Sequence, residues 1–359
     1  MLEERTAHVR AARASLAHRP APALPESRAE LTGRLGLDVP RGWWPTAAML
    51  KGLEAAGFAY VQVRTPPRAM LCDRDHLLRH AGRLRNALKT CGLRLVLHAP
   101  DDLSAGDPVH DRALDGLLDY AAAAGARYVV YHGANFPSPA GTESDARPAG
   151  GLGDPLLAPG AERFGAEAAA REEDSLRARV PRLERLGVTL AIENLAPVYP
   201  GPPRLCHDPT YVRDLVLRLE STRVGMLFDV GHANIVAGLR GTHVRALLEP
   251  VLDAVVLFHL HDNLGARSDG ATGPALDPLR LDLHLAPGAG RLSWGVVAPL
   301  VLGRQVPAVL EVQPPHRPEP LSLYGVTAGL LLRKAPAVDG TRPALPSRRA
   351  GAAPAVPPG

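Results

Sequence analysis

The sequence predicts an α/β protein, a (β/α)8 (TIM) barrel in a single domain with an N-terminal extension and a disordered C-terminal tail. Three observations predict it. Short apolar runs of strand length alternate with stretches of helical spacing, which implies parallel strands joined by right-handed crossovers. Eight such units over roughly 300 residues is the size of this barrel. An open doubly wound sheet is the rival, but no GxGxxG stands at the first strand–helix turn.

Residues 1–28 begin with Ala/Arg helical character and then break on His18-Arg-Pro-Ala-Pro-Ala-Leu-Pro25, so they read as an extension outside the core. Leu31–Val39 is a first strand, and Pro45–Ala56 is a helix stopped by Gly57. Phe58–Val63 is a β-branched and aromatic strand, ended by Thr65-Pro-Pro67. Asp73–Thr90 is an amphipathic helix carrying Leu77, Leu78, Leu84 and Leu88, and Gly92 closes it. Leu93–Leu97 is a strand ending at His98. Pro108–Ala124 is a helix stopped by Gly125, and Arg127–Tyr131 is a strand ending at His132. The Gly/Pro-rich stretch Gly133–Gly160 is long for a loop of such a unit and is a candidate lid.

Ala161–Leu186 is helical, with Pro181 placed to kink it, and ends at Gly187. Val188–Ile192 is a strand ending at Glu193. Asp208–Leu219 is a helix with Asp208 as N-cap and Pro209 at its first position. Val224–Phe228 is a buried strand ending on Asp229, and His232 follows after one glycine-containing turn. A helix near Thr242–Glu249 leads to the strand Ala254–Phe258, which ends at His259. A second long loop covers Asp262–Gly290. The chain closes with the helix Ser293–Leu302, the strand Ala308–Leu310 ending at Glu311, and the helix Leu321–Arg333. Residues 29–334 thus form the barrel, and Ala335–Gly359 is an Ala/Pro/Gly-rich tail.

Composition narrows the function classes. The 359 residues, 46% of them hydrophobic, suffice for a full core. Net charge is +4 and the pI about 9.1, yet arginine carries nearly all the positive charge; Lys51, Lys89 and Lys334 are the only lysines. Tight basic runs with interleaved aromatics are missing, so nucleic acid is not an expected partner. Cys72, Cys91 and Cys206 form no CxxC, which suggests neither a zinc knuckle nor a disulfide framework and fits a reducing cytoplasm. Residues 1–26 lack the continuous apolar core of a signal peptide, and no apolar run reaches the roughly 18 residues of a membrane span. The expectation is a cytoplasmic chain that touches no membrane.

Six strands end in a metal-competent residue: His98, His132, Glu193, Asp229, His259 and Glu311. In a barrel these converge on one face, joined by His232 and by Asp282 and His284 of the second long loop. A lone histidine at such a place is as readily a satisfied core imidazole. Six at one structural position argue for a site. Histidines and carboxylates without thiolates suit manganese, magnesium, cobalt or zinc. Glu193, Asp229, His259 and Glu311 make a shell of three carboxylates and one imidazole, fit to bind a hydroxy-carbonyl substrate through a Lewis acid. Two glutamates across the barrel can remove a proton at one atom or face and return it at another. His261 is read as structural. Asp262 and Asn263 either cap the loop or reach substrate hydroxyls. Trp43 and Trp44 either wall a sugar or pack the core, and His207, His243 and His316 are read as surface residues.

From Leu31 to Leu332 the chain resembles the xylose isomerase-like barrels, a group including ketose 3-epimerases, hydroxypyruvate isomerase, inosose dehydratase and the endonuclease IV group of abasic-site nucleases. The resemblance rests on Ile192-Glu-Asn194, Phe228-Asp-Val-Gly-His-Ala233, His259-Leu-His-Asp-Asn263 and Asp282-Leu-His-Leu-Ala-Pro-Gly-Ala-Gly290, then Trp294 and Leu310-Glu311. It implies that Glu193, Asp229, His259 and Glu311 hold one divalent metal, with Glu193 and Glu311 doubling as acid and base and His232 contacting substrate oxygens. It implies a sugar or sugar-phosphate isomerase or epimerase, in a family whose barrels often form homo-oligomers. The same resemblance supplies a rival, in which His98, His132, His232, Asp282 and His284 are further ligands of a three-zinc abasic-site nuclease. Against it stand Asn-Leu-Ala-Pro-Val-Tyr-Pro after Glu193, the long spacer from His259 to Asp282, and the lack of a basic groove. Dehydration of a cyclic polyol on the same site is a further alternative, and a non-catalytic ligand-binding barrel is a third class.

Overall fold

The computed structural model describes residues 31, 33–133, 161–197, 204–266 and 281–332. Eight parallel strands close into a barrel in sequence order. They are β1 (Leu35–Asp38), β2 (Tyr60–Arg64), β3 (Arg94–His98), β4 (Tyr128–Tyr131), β5 (Thr189–Glu193), β6 (Val224–Asp229), β7 (Val255–Leu260) and β8 (Ala308–Leu310), with β8 pairing back onto β1. Around them run α1 (Ala47–Ala55), α2 (Arg68–Leu71), α3 (Arg74–Leu88), α4 (Pro108–Ala124) and α5 (Ala161–Leu186). The ring is completed by α6 (Pro209–Arg218), α7 (Val230–Leu239), α8 (Val244–Leu248), α9 (Trp294–Arg304) and α10 (Pro320–Leu331). The predicted fold class is the observed one. The extension 1–28, the tail 335–359, most of the candidate lid and the middle of the second long loop lie outside the described residues.

The two faces of each strand do different work, because side chains alternate along it. Leu37, Val61, Leu95, Val129, Leu190, Met226 and Phe258 face outward and bury themselves under the helices. Each such side chain contributes about 2 kcal/mol through the water it sheds. Tyr60, Val96, Val130, Ala191, Leu227, Leu257 and Val309, one from each of seven strands, fill the barrel's interior. The eighth strand offers Gly36 there. A Cβ at that position would stand 2.7 Å from the Cβ of Tyr60, so the interior closes only around a glycine.

Counting two residues forward from each interior position gives Asp38, Gln62, His98, His132, Glu193, Asp229, His259 and Glu311. The alternation that plugs the barrel therefore aims one polar residue per strand at its C-terminal mouth.

Helix starts follow local chemistry. Thr46, Asp73, Asp107 and Asp208 each accept a main-chain N–H at an N-terminus, which offsets an otherwise unpaired donor. The sequence reading needs two corrections. His232 stands on the first turn of a helix, α7, and not in a turn: Val230–Leu239 is so apolar all round that it lacks helical periodicity. The short α2 was also unforeseen, since Thr65-Pro-Pro67 reads as plain loop. Helix α5 runs from Ala161 to Leu186 with Pro181 inside it.

Candidate active site

Glu193, Asp229, His259 and Glu311 meet at the ends of β5, β6, β7 and β8, all buried, with their ligand atoms within 4.8 Å of one another. Nδ1 of His259 lies 3.2 Å from Glu193, 3.6 Å from Asp229 and 3.5 Å from Glu311. A second group shares Glu193: its Oε2 is 3.2 Å from Nε2 of His132 and 3.7 Å from Nε2 of His98. The third comprises His232, His261, Asp282 and His284. Asp282 stands 3.6 Å from Nε2 of His232 and 3.1 Å from Nε2 of His284. Every site residue named from the sequence falls in one of these groups.

The surroundings fix which face each imidazole presents. His98 donates Nδ1–H to the carbonyl of Ala99 at 2.8 Å, His232 to Asn194 at 3.0 Å and His284 to Glu311 at 2.8 Å. Each Nε2 is thereby left to face a carboxylate, the arrangement that prepares histidine for a metal. His259 is turned the other way, with Nε2 2.9 Å from Oε1 of Gln62 and Nδ1 inward. Gln62 gives its amide N–H groups to Glu311 and to Asp38. With carboxylates on its nitrogen side, only its oxygen can face His259.

Two local devices bring the third group into place. Asp229 caps α7, its Oδ1 accepting from the N–H of His232 at 2.7 Å, so strand end and helix start are one residue. Behind it Gly231 leaves room for His261, whose Cε1 would lie 2.0 Å from any Cβ there. Asp262 then holds the returning loop: it accepts from the N–H of Asn263, Gly288 and Leu292 and from the indole of Trp294, all between 2.9 and 3.0 Å. Asn263 ties the loop to Gly231 and Asn234. Both residues thus build the loop that carries Asp282 and His284. His284 itself sits at φ +46, a left-handed conformation costly for a residue with a Cβ and often found where function demands it.

Burial alone would raise the carboxylates, but the imidazoles overcome it. His259 and His132 hold Glu193 well below its usual range, His232 and His261 hold Asp229 far down, and His259 and His98 bring Glu311 to about 2. Burial would lower His259, His232 and His284; instead the carboxylates raise the first two strongly and His284 to about 9. The groups thus gather positive charge in the form of protons, which a divalent cation would displace. Asp38 goes the other way, raised to about 7 by burial and the neighbouring Glu311.

The donor set fits a metal on a further observation. Among the described residues, buried side-chain atoms without a hydrogen bond include Nε2 of His98, Oε2 of Glu193, Oδ2 of Asp229, both ring nitrogens of His261 and Oδ1 of Asp282. Orphaned buried polar atoms are rare because each costs about 1–3 kcal/mol. Apart from Nε2 of His76 on α3, they all belong to the three ligand groups, where a cation would satisfy them.

Three residue readings change. His261 is buried with its Nε2 3.0 Å from Asp229 and its ring stacked 4.0 Å from that of His284, so it belongs to the third group and is not a mere structural residue. His207 is not a surface residue: it lines the cavity, and burial beside Arg204 and Arg240 lowers it to about 3. His243 and His316 are exposed, as read. Trp44 packs edge-on to His80 at 4.9 Å, while Trp43 is exposed. Asp38 and Gln62 were missed, although they occupy on β1 and β2 the place that flagged the other six.

The groups open into a cavity of about 380 Å³, whose lining includes Arg41, Arg64, Arg204 and Arg317 on the described side. No described helix is long and apolar enough to cross a membrane.

The sequence model of one family, described as xylose isomerase-like TIM barrel, matches residues 50–328. Among solved structures, a D-tagatose 3-epimerase-like protein is similar at TM-score 0.59 and 16% identity, over 83% of this chain and 97% of its own. The 3-keto-D-glucoside 4-epimerase of E. coli gives TM-score 0.53 at 16% identity, over 83% and 98%. A D-psicose 3-epimerase of Clostridium cellulolyticum H10, crystallised with D-tagatose, gives TM-score 0.53 at 13% identity, over 84% and 95%. At such identities the likeness is one of fold. No curated protein matches the chain at a significant level.

Proposed function

The chain belongs to the xylose isomerase-like TIM barrel family, and from that premise we propose that it is a metal-dependent sugar or sugar-phosphate isomerase or epimerase. One observation carries the reading: Glu193 and Glu311 converge on Nδ1 of His259, with Asp229 completing a buried group of three carboxylates and one imidazole. Those four residues would hold the ion, and manganese, magnesium, cobalt or zinc all suit oxygen donors with one imidazole. A bound divalent metal supplies Lewis acidity toward adjacent oxygens of a hydroxy-carbonyl substrate. The proton work falls to the protein: one of Glu193 and Glu311 takes the proton α to the carbonyl, and the other returns it at the neighbouring atom or the opposite face, through an enediolate. Both are held ionised by the imidazoles, as the accepting base must be. The returning glutamate therefore takes the proton it delivers from water or a neighbouring imidazolium, and the accepting one later passes its own to solvent. Nε2 of His232, beside Asp282, is available to substrate oxygens.

A second reading has its own support. With the central four residues, the flanking groups, His98 and His132 with Glu193 on one side and His232, His261, Asp282 and His284 on the other, make three clusters that could each hold an ion, two of them sharing Glu193. Such a cluster suits hydrolysis of a phosphodiester, as in an abasic-site nuclease.

Two measurements test these readings. The first is solvent-deuterium exchange into a panel of ketoses and ketose phosphates: exchange by the wild type, abolished in a folded Glu311→Gln variant, supports the isomerase, and exchange retained in the variant overturns the mechanism. The second is metal content by plasma mass spectrometry with cleavage of an abasic-site duplex. About three zinc ions per chain with cleavage establishes the hydrolase instead.

A further inference from the structure

We infer that the cavity contains an oxyanion subsite, for a phosphoryl or carboxylate group of the substrate, built by Arg64 and Arg41 beside the His98–His132–Glu193 group. The inference rests on the isomerase reading for the rest of the substrate, but not for the subsite itself.

Arg64 ends β2, two residues beyond Gln62 and four beyond Tyr60, so strand alternation sends it into the barrel mouth. Its side chain is only 24% exposed, and its Nη1 lies 3.4 Å from Nδ1 of His98. A guanidinium taken that far out of water needs compensation by partners. The carboxylate bonded to it is Asp101, at 2.7 Å, and Asp101 is shared with Arg41. Asp101 is thus shared between two guanidinium groups, and the other carboxylates near Arg64, Glu311 and Asp38, form no ion pair with it among the described residues. Nε and Nη2 of Arg64 hold no hydrogen bond among the described residues.

Arg317 is a third guanidinium here. It also lines the cavity, and its nitrogens donate to the main-chain oxygens of Val312 and Asp38, with no carboxylate at ion-pair distance among the described residues. The chain's arginine richness does not account for this. Arg179, Arg182 and Arg213 on the outer helices are matched by Asp111, Asp115, Asp119 and Asp253. The carboxylates on the cavity's other side are committed to the ligand groups. Toward β1 and β2 the lining sets Arg41, Arg64 and Arg317 against Asp38 and Asp101, a surplus of one positive charge, and a planar fork of N–H donors recognises phosphate and carboxylate oxygens in pairs.

The test uses the metal-loaded full chain, with inorganic phosphate and acetate as calorimetric probes. Phosphate binding weakened at least tenfold in Arg64→Gln, and several-fold in the exposed and safely replaceable Arg41→Gln, at unchanged metal content, supports the subsite. Binding unchanged in both variants overturns it. Phosphate preferred over acetate assigns a phosphoryl group, and the reverse a carboxylate. On substrates, the kcat/KM ratio of a ketose phosphate to its free ketose should fall at least tenfold in Arg64→Gln; an unaltered ratio refutes the phosphoryl assignment. If no ketose exchanges deuterium at all, the isomerase reading fails, and the phosphate titration still decides the subsite.

Discussion

Oε1 of Gln62 accepts a hydrogen bond from Nε2 of His259 at 2.9 Å, and this contact turns the imidazole so that Nδ1 faces Glu193, Asp229 and Glu311. A residue on β2 thus sets the ring orientation of a residue on β7, across the barrel.

Replacing Gln62 with leucine keeps the volume and removes both the acceptor for His259 and the donor to Glu311. Loss of such an outer partner lowers metal affinity by about 10–100-fold. A chelator-competition titration of Gln62→Leu reads this directly, and wild-type affinity would show that packing alone orients His259.

Asp262 is expected to matter for the third ligand group more than for the first. Asp262→Ala strips acceptors from three main-chain N–H groups and the Trp294 indole, freeing the segment that carries Asp282 and His284. The expected outcome is a loss of about 2–3 kcal/mol in urea unfolding, in the range of a lost charged hydrogen bond. Any metal held through Asp282 and His284 should fall in parallel, while that held by Glu193, Asp229, His259 and Glu311 stays.

Gly36→Ala tests the interior packing. Its Cβ would meet that of Tyr60 at 2.7 Å and a methyl of Val309 at 3.1 Å. Overpacking of this kind costs about 1–3 kcal/mol, read as a lower urea midpoint with unchanged slope. An unshifted midpoint would mean that β1 and β2 separate freely.

Acid stability carries the signature of His207. Its folded-state value is lowered to about 3, by burial first and then by Arg204, from an ordinary 6.5. The unfolded chain therefore binds the proton first, so this contribution is full above pH 6.5 and declines as pH falls from there toward 3. Urea midpoints between pH 7 and 4 should drop less in His207→Gln than in the wild type; parallel curves would refute the assignment.

Much of this was legible in the chain. Strand candidates alternating with helices give a parallel sheet buried on both faces, and eight such units without a GxGxxG at the first turn favour its closure into a barrel. Six strand-end residues stood out because a histidine or carboxylate closing an apolar run is conspicuous. Asp38 and Gln62 escaped for a reason of register. With strands read to Val39 and Val63, the terminal residues were apolar and the inward polar ones, one position earlier, looked incidental. A one-residue shift exchanges the two faces of a strand. Helix α7 was hidden by its uniform apolarity, since a helix covered on every side loses the period by which helices are recognised.

Sequence by itself determined the barrel, the face on which polar residues gather and the types of atom offered there, because these follow from strand alternation and chain order. Tertiary structure alone decided how those atoms are grouped. Three ligand groups, two of them sharing Glu193, the turning of His259 by Gln62, the recruitment of His261 through Gly231 and the two arginines over Asp101 all join residues far apart in the chain. Distances of a few ångströms between strands depend on barrel closure and on which side of each ring meets a carbonyl, and neither is written in local sequence pattern.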